Sequence, residues 1–303
     1  MQIAANLIQP IWASYYECCK PKVVYLIVFT ALVGMLLATD QMVPLDKMFW
    51  GLLGIGLAAA AGAAFNHAID EEIDRRMERT WRRPVAQGTL KSSQVLWFAT
   101  TLAVLSSLIL IGFVNLLTAI LTLLSMVGYA IIYTVFLKRM TPQNVVIGGA
   151  AGAAPPVLGW AAITGHVSAE ALLLFLIIFV WTPPHFWALA IKRRHEYAKA
   201  NIPVLPVTHG IALTKLHILL YSILLLVVSV LPFLIYMSGP VYLIGALILG
   251  IGFIQQAWAL YRAEGEQYAM KTFSYSIFYL TALFAFFLSD HYVGMLIHHV
   301  FAE

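Results

Sequence analysis

Charge is what this sequence has least of. Only 11% of its 303 residues are Asp, Glu, Lys or Arg, against about a quarter in soluble domains. A water-exposed globular surface is therefore excluded. Cysteine is nearly absent too, with Cys18 and Cys19 adjacent and alone. A vicinal pair makes a poor structural disulfide and fits no metal-ligand spacing, so two unpaired thiols are expected. Residues 1–20 lack a basic stretch ahead of a short apolar core and contain Asn6, Gln9, Pro10 and Glu17, which does not read as a cleaved signal. They also lack the arginines of a mitochondrial transit peptide, which favours a bacterial protein. No linker and no internal repeat divides the chain, so a single domain over 1–303 is expected.

What is present is apolar: 61% of the residues are hydrophobic, and the mean hydropathy is +0.86. A bilayer core needs roughly 20 mostly apolar residues per helix. Nine runs meet that length, at 23–39, 48–67, 95–113, 117–137, 144–163, 171–190, 216–236, 241–260 and 273–290. The expected fold is all-α, a polytopic membrane bundle of nine helices. Counting loops alternately, 17 of the 18 basic residues fall on one side, with Lys47 alone opposite. Basic loops stay in the cytoplasm, which sets the N-terminus inside and the C-terminus outside. In a bacterium this means the inner membrane, N-terminus cytoplasmic and C-terminus periplasmic, with any active site on the cytoplasmic side. The Gly/Ala-rich stretches 51–64 and 148–154 suit close helix packing in lipid.

The second run leads into an acidic helix end. Asn66, Asp70 and Asp74 stand at i, i+4 and i+8, so they project from one face over two turns. Five of the 14 acidic residues crowd between Asp70 and Glu78. Two carboxylates and an amide oxygen stacked in this way are hard ligands suited to Mg²⁺. Asn66 sits at the membrane edge, where a polar group is costly and points to function. Glu71 and Glu72 face elsewhere, toward Arg75 and Arg76. Arg79, Arg82, Arg83, Lys138, Arg139, Lys192 and Arg193 share this side of the membrane, where they would stabilise the growing charge of a departing diphosphate.

Asn66-x3-Asp70-x3-Asp74 behind a second span, followed by Arg79-Thr80-x2-Arg83-Pro84, resembles the UbiA superfamily of intramembrane prenyltransferases. The stretches from Tyr133 to Pro156, Trp181 to Ala190 and Asn201 to Val207 are similar to the branch of that superfamily that farnesylates haem. The likeness runs from about residue 20 to 290. It implies a nine-helix bundle around a cavity open to the cytoplasm. It also implies the reaction of haem B, farnesyl diphosphate and water to give haem O and diphosphate. Mg²⁺ would be the cofactor, and membrane lipid and haem–copper oxidase assembly the further partners; nothing calls for nucleic acid.

By matching position, the resemblance gives Mg²⁺ and diphosphate to Asn66, Asp70 and Asp74, with Tyr133, Lys138 and Arg139 flanking the diphosphate. The second acidic motif of the superfamily corresponds to Lys192-Arg193-Arg194-His195-Glu196, where only Glu196 is acidic. A second carboxylate pair is therefore not expected, and Lys192 and Arg193 take its place against the diphosphate. His185, behind Thr182-Pro183-Pro184, is the first choice as haem ligand, and His67 the second. The two prolines are expected to kink or unwind the sixth span around the cavity. Phe65, Tyr129, Tyr133, Trp160, Trp181 and Trp187 are candidates for an aromatic lining beside an allylic cation. The alternatives are a superfamily member with an aromatic, quinone or chlorin acceptor, a cation transporter built on Asn66 and Asp70, and a non-catalytic haem chaperone.

Overall fold

In lipid the backbone must satisfy its own hydrogen bonds, and long apolar runs do so as helices. The computed structural model describes residues 10–78 and 80–301 and is helical throughout that range apart from short connections. Eight helices are long and apolar enough to cross a bilayer, and a bent pair brings the total among the described residues to the expected nine. The protein is a multi-pass membrane protein.

The bent pair is α1 (Ile11–Cys18) and α2 (Pro21–Leu36), meeting at 49°. Proline is disfavoured after an α-helical residue but well placed at the start of a helix. The chain turns accordingly at Lys20, whose φ of 50° is left-handed, and Pro21 opens α2. Helix α1 leaves Ile11, Trp12 and Tyr16 exposed, and the Tyr16 and Tyr25 hydroxyls, 2.8 Å apart, join its outer face to α2. Next come α3 (Leu45–Ile69), the short α4 (Glu71–Arg76) and α5 (Ser92–Phe113).

The fourth span is not one regular helix. It begins as α6 (Leu116–Val127), widens into a π-helical segment (Gly128–Leu137) and ends as α7 (Lys138–Met140). The fifth is split into α8 (Asn144–Ala153) and α9 (Pro155–Thr164), with the proline pair opening the second half. The sixth, α10 (Ala169–Lys192), stays helical through Pro183 and Pro184, so the unwinding expected of the proline pair does not occur. Both prolines are buried, and packing against neighbouring spans is what commonly holds proline in a membrane helix. Two short helical turns, α11 (Arg194–Lys199) and α12 (Leu205–Thr208), lead to α13 (Gly210–Leu234), α14 (Pro240–Arg262) and α15 (Ala269–Phe301).

Consecutive spans are neighbours, and α15 returns to pack on α10 and α2, so the helices close into a ring with the split fifth span reaching inside it. One half is filled by aromatic packing, with Phe253, Tyr279, Phe284 and Phe287 fully buried among α10, α14 and α15. The outer surface carries Leu108, Ile111, Leu124, Val227 and Ile248, all more than half exposed, as lipid contact requires.

With lipid as apolar as leucine, close contact between small residues does the holding. Helices α2 and α9 cross at backbone distance. A Cβ added to Gly34 would lie 2.2 Å from the Pro156 carbonyl oxygen, and one on Gly159 would lie 2.0 Å from that of Ala31. Neither backbone can yield without parting the helices. Gly159→Ala should therefore lower the thermal midpoint in detergent, at about 1–3 kcal/mol for overpacking. Gly112→Ala, where nothing lies within 4 Å, should leave it in place. Equal midpoints for the two variants would refute the close seam.

Candidate active site

Helix α3 is built largely of Gly and Ala along its inner half, and its hydrogen-bond ladder carries past its end: Asp70 N–H bonds to the Asn66 carbonyl at 3.0 Å and Asp74 N–H to that of Asp70 at 2.8 Å. The step at Asp70 is slight, and Asn66, Asp70 and Asp74 remain in one line. All three are buried, at 5%, 1% and 3% exposure. Bare carboxylates could not persist at such burial, since an unpaired buried charge is prohibitive.

Their counter-charges come from three separate stretches. Lys138 Nζ contacts Asp70 Oδ2 at 2.5 Å. Arg83 Nη1 contacts Asp74 Oδ2 at 2.7 Å. The loop that delivers Arg83 is tied back by Thr80, whose hydroxyl donates to the Asp74 carbonyl at 3.2 Å. Asn66 donates from Nδ2 to Asp70 Oδ2 at 2.7 Å and to Thr134 Oγ1 at 3.2 Å. Its oxygen accepts from Lys20 Nζ, which also reaches the Tyr129 hydroxyl at 3.4 Å. As expected, Glu71 turns away, pairing with Arg75 at 2.6 Å.

The π-helical segment explains how one span supplies so much. A π-helix has a wider turn and occurs often at functional sites. Here the Thr134 hydroxyl donates to the Tyr129 carbonyl five residues back at 2.9 Å. The Tyr129 and Tyr133 rings stack at 5.7 Å and 12°, and Lys138 follows at the segment's end. Gly148 makes room for this: a Cβ there would meet the Tyr133 ring at 2.2 Å.

Behind the polar cluster lies an apolar chamber of about 260 Å³. Lys20, Tyr129 and Tyr133 form its polar lip, and Ala59, Gly152 and Ile55 are among the residues deeper in its wall. Of the aromatic lining candidates, Tyr129 and Tyr133 are on that wall, as is Phe186. Trp187 is fully buried elsewhere, edge-on to His217 and Tyr221. Trp160 and Trp181 belong to the aromatic core, and Phe65 packs with Cys18 and Val95.

The other expected site residues distribute as follows. Arg139 is exposed beside Lys138, and Arg79 lies outside the described residues. Lys192 pairs with Glu266 at 2.9 Å and Arg193 with Glu196 at 2.7 Å, so their charges meet within that side of the protein. Apolar contact brings this loop toward α4 nonetheless: Ile73 and Met77 pack with Tyr197, Ile202 and Val204. His185 Nδ1 lies 2.6 Å from the Ser276 hydroxyl, and its ring stacks between Trp181 and Phe273. His67 is 2% exposed, with neither ring nitrogen hydrogen-bonded, and is not on the chamber wall. Lys20 and Thr134 belong to the cluster although the sequence pattern singled out neither. Lys20 reads as an orientation charge like its neighbours, and the left-handed turn before Pro21 was its one local signal.

Hard oxygen donors, a buried carboxylate oxygen (Asp70 Oδ1) with no hydrogen-bond partner and cations around them suit a divalent metal and a polyphosphate together. Among the described residues no three His, Cys, Asp or Glu side chains form a metal cluster, so any ion held here would be shared with an anionic ligand and Asn66. A polar, charge-paired mouth over an apolar chamber defines the class: a membrane-embedded enzyme for an anion with a long apolar tail.

The comparisons with known proteins agree. The UbiA prenyltransferase family profile matches residues 27–288. A protoheme IX farnesyltransferase from Thioalkalivibrio sulfidiphilus is 61% identical over 285 residues, 94% of each chain. One from Pseudomonas putida is 59% identical over 282 residues, covering 93% of this chain and 95% of its own. Among solved structures, one from a study of digeranylgeranylglyceryl phosphate synthase matches with a TM-score of 0.78 at 20% identity, over 92% of this chain and 98% of its own. A UbiA homologue from Archaeoglobus fulgidus bound to DMAPP and Mg²⁺ matches at 0.63 and 16%, over 90% and 99%. The chain belongs to the UbiA prenyltransferase family.

Lys20 offers a test of the mouth. A hydrogen bond to a charged group contributes about 1.5–3 kcal/mol, or roughly tenfold or more in affinity. Lys20→Met should weaken binding of Mg²⁺-pyrophosphate to the purified protein by about that factor in calorimetry, with Lys20→Arg retaining more. Undiminished affinity in Lys20→Met would remove Lys20 from the site.

Proposed function

We propose that the chain transfers the farnesyl group of farnesyl diphosphate to a vinyl group of haem B, with addition of water, forming haem O and diphosphate. One observation carries the reaction type. Two buried carboxylates, matched by Lys138 and Arg83, sit at the mouth of an apolar chamber. That arrangement takes the head and tail of a prenyl diphosphate in one place. The choice of farnesyl and haem rests on the relatives named protoheme IX farnesyltransferase at 61% and 59% identity.

Asp70, Asp74 and Asn66 would hold Mg²⁺, which supplies Lewis-acid stabilisation to the diphosphate; the Archaeoglobus fulgidus homologue bound to DMAPP and Mg²⁺ supports this assignment. The chain's own cations do the rest. Lys138, Arg83 and Lys20 exchange part of their present contacts for diphosphate oxygens and meet the charge that grows as the C1–O bond breaks. The electron pair leaves with the diphosphate. The chamber wall keeps water from the allylic cation, and the stacked Tyr129 and Tyr133 faces lie beside it at the lip. The terminal carbon of the haem vinyl group donates its π pair to C1, leaving a cation next to the porphyrin. Water captures that cation and releases a proton, which completes the hydroxyl.

Arg79 and Arg139 serve the diphosphate from the same loops, while Lys192 and Arg193 meet it from the loop after α10, with Glu196 orienting Arg193. The Arg193 Nε atom, buried with no partner, supports that role. The mouth is assigned to the cytoplasmic side of a bacterial inner membrane, since 17 of 18 basic residues share its side and the named relatives are bacterial.

The test is turnover in detergent or vesicles. Haem B, farnesyl diphosphate and Mg²⁺ should yield a haem heavier by farnesyl plus water, seen by mass spectrometry. Asp70→Ala and Asp74→Ala should each lower the rate by about 10²–10³, the scale for losing one pre-set electrostatic group. Removing Mg²⁺ with EDTA should stop turnover, and re-addition should restore it. Wild-type rates in either aspartate variant would overturn the assignment.

A further inference from the structure

The chamber has a definite floor, and its depth can be compared with a prenyl chain. Ile55 lies eleven residues before Asn66 on α3, roughly 16 Å deeper at 1.5 Å per residue. Ile55 and Leu158 line the chamber and are 1% and 4% exposed. Both also belong to the buried cluster of Ala31, Met35 and Ala162, against which Ile27 packs. Just below runs the α2–α9 seam, where Gly159 meets the Ala31 carbonyl.

An isoprene unit adds four carbon–carbon bonds of about 1.5 Å, or roughly 5 Å once their zigzag is allowed for. Three units extend roughly 15 Å, which fills the depth between Asn66 and Ile55 and leaves the diphosphate end level with Asp70 and Asp74. A fourth would have to enter the Ala31–Met35–Ala162 cluster. Partway down, Gly152 lines the wall, and a Cβ added there would meet no atom within 4 Å. The absent side chain leaves width to the occupant and not to protein packing.

On the proposed function above, we infer that Ile55 and Leu158, with Ile27 beside them, set the donor length at three isoprene units, and that Gly152 provides the width such a chain needs. The gauge discriminates by exclusion at the floor and acts on the donor alone, since haem reacts at the mouth.

The experiment offers haem B with equal concentrations of geranyl, farnesyl and geranylgeranyl diphosphates in one vessel and reads the three products by mass. The product ratio compares kcat/KM values and does not depend on how much of a variant is folded. The double variant Ile55→Ala/Leu158→Ala removes about six side-chain carbons, enough for the five of one further unit. It should raise the geranylgeranyl-to-farnesyl ratio about tenfold or more. Gly152→Val works in the opposite sense, its Cβ entering open space, and should raise the geranyl-to-farnesyl ratio about tenfold. Either shift in the stated direction supports the gauge, and ratios unchanged in both variants overturn it. If the unaltered chain gives no product from any donor, the proposed function falls and the gauge with it; product with unmoved variant ratios removes the gauge alone.

Discussion

Two carboxylates buried at the edge of a membrane constrain everything around them. Asp70 and Asp74 are at most 3% exposed, and losing one partner of a buried pair costs about 3–5 kcal/mol. Lys138 and Arg83 are therefore structural conditions for the end of α3, whatever else they do. They arrive from different directions: one from α7, at the end of the π-helical segment, one from the loop after α4. Lys20 comes from a third, the bend between α1 and α2. The acidic helix end thus fixes the register of the fourth span, the fold of the loop that Thr80 ties down and the angle at which the chain enters the bundle.

The same arrangement prepares the site for an anion. In the structure, Asp70 Oδ2 accepts from both Asn66 and Lys138, while its other oxygen has no partner. Cations that neutralise carboxylates in one state are already in position to bind phosphate oxygens in another. Pre-set charge of this kind needs little rearrangement when the leaving group departs. The chamber behind it contributes a wall made mostly of apolar side chains and small residues, among them Ile27, Ile55, Ala58 and Leu158.

Much of this was legible in the sequence. The nine spans follow from apolar run length, and the i, i+4, i+8 spacing of Asn66, Asp70 and Asp74 places them in one line, as found. Arg83 and Lys138 could be put on the same side of the bundle as Asp70 and Asp74 by charge counting, where the structure has them. Counting could not say which carboxylate each would meet, because that depends on how a loop and a distorted helix close in space. Lys20 illustrates the limit: its charge looked like that of any other lysine in a basic loop, and only the fold brings it to Asn66, 46 positions away. The π-helical segment has no mark in hydropathy, which reads the same for either helix. Pro183 and Pro184 misled in the other direction, since a local breaker was overridden by packing on both sides. Trp187 and His185 carried attractive chemistry but are taken up by the α10 interfaces with α13 and α15. Arg79 lies outside the described residues.

The seam between α2 and α9 bears on the membrane as well as on the protein. A charged mouth opening into a chamber within the bilayer is the first half of a pore, and a cell that stores energy as an ion gradient cannot tolerate the second half. At Gly34 and Gly159 the backbones approach until no side chain fits between them, which leaves no path for a file of water. Small residues at one crossing thus close the gap between these two helices to water and ions, so that the electrical insulation of the bilayer continues across the seam.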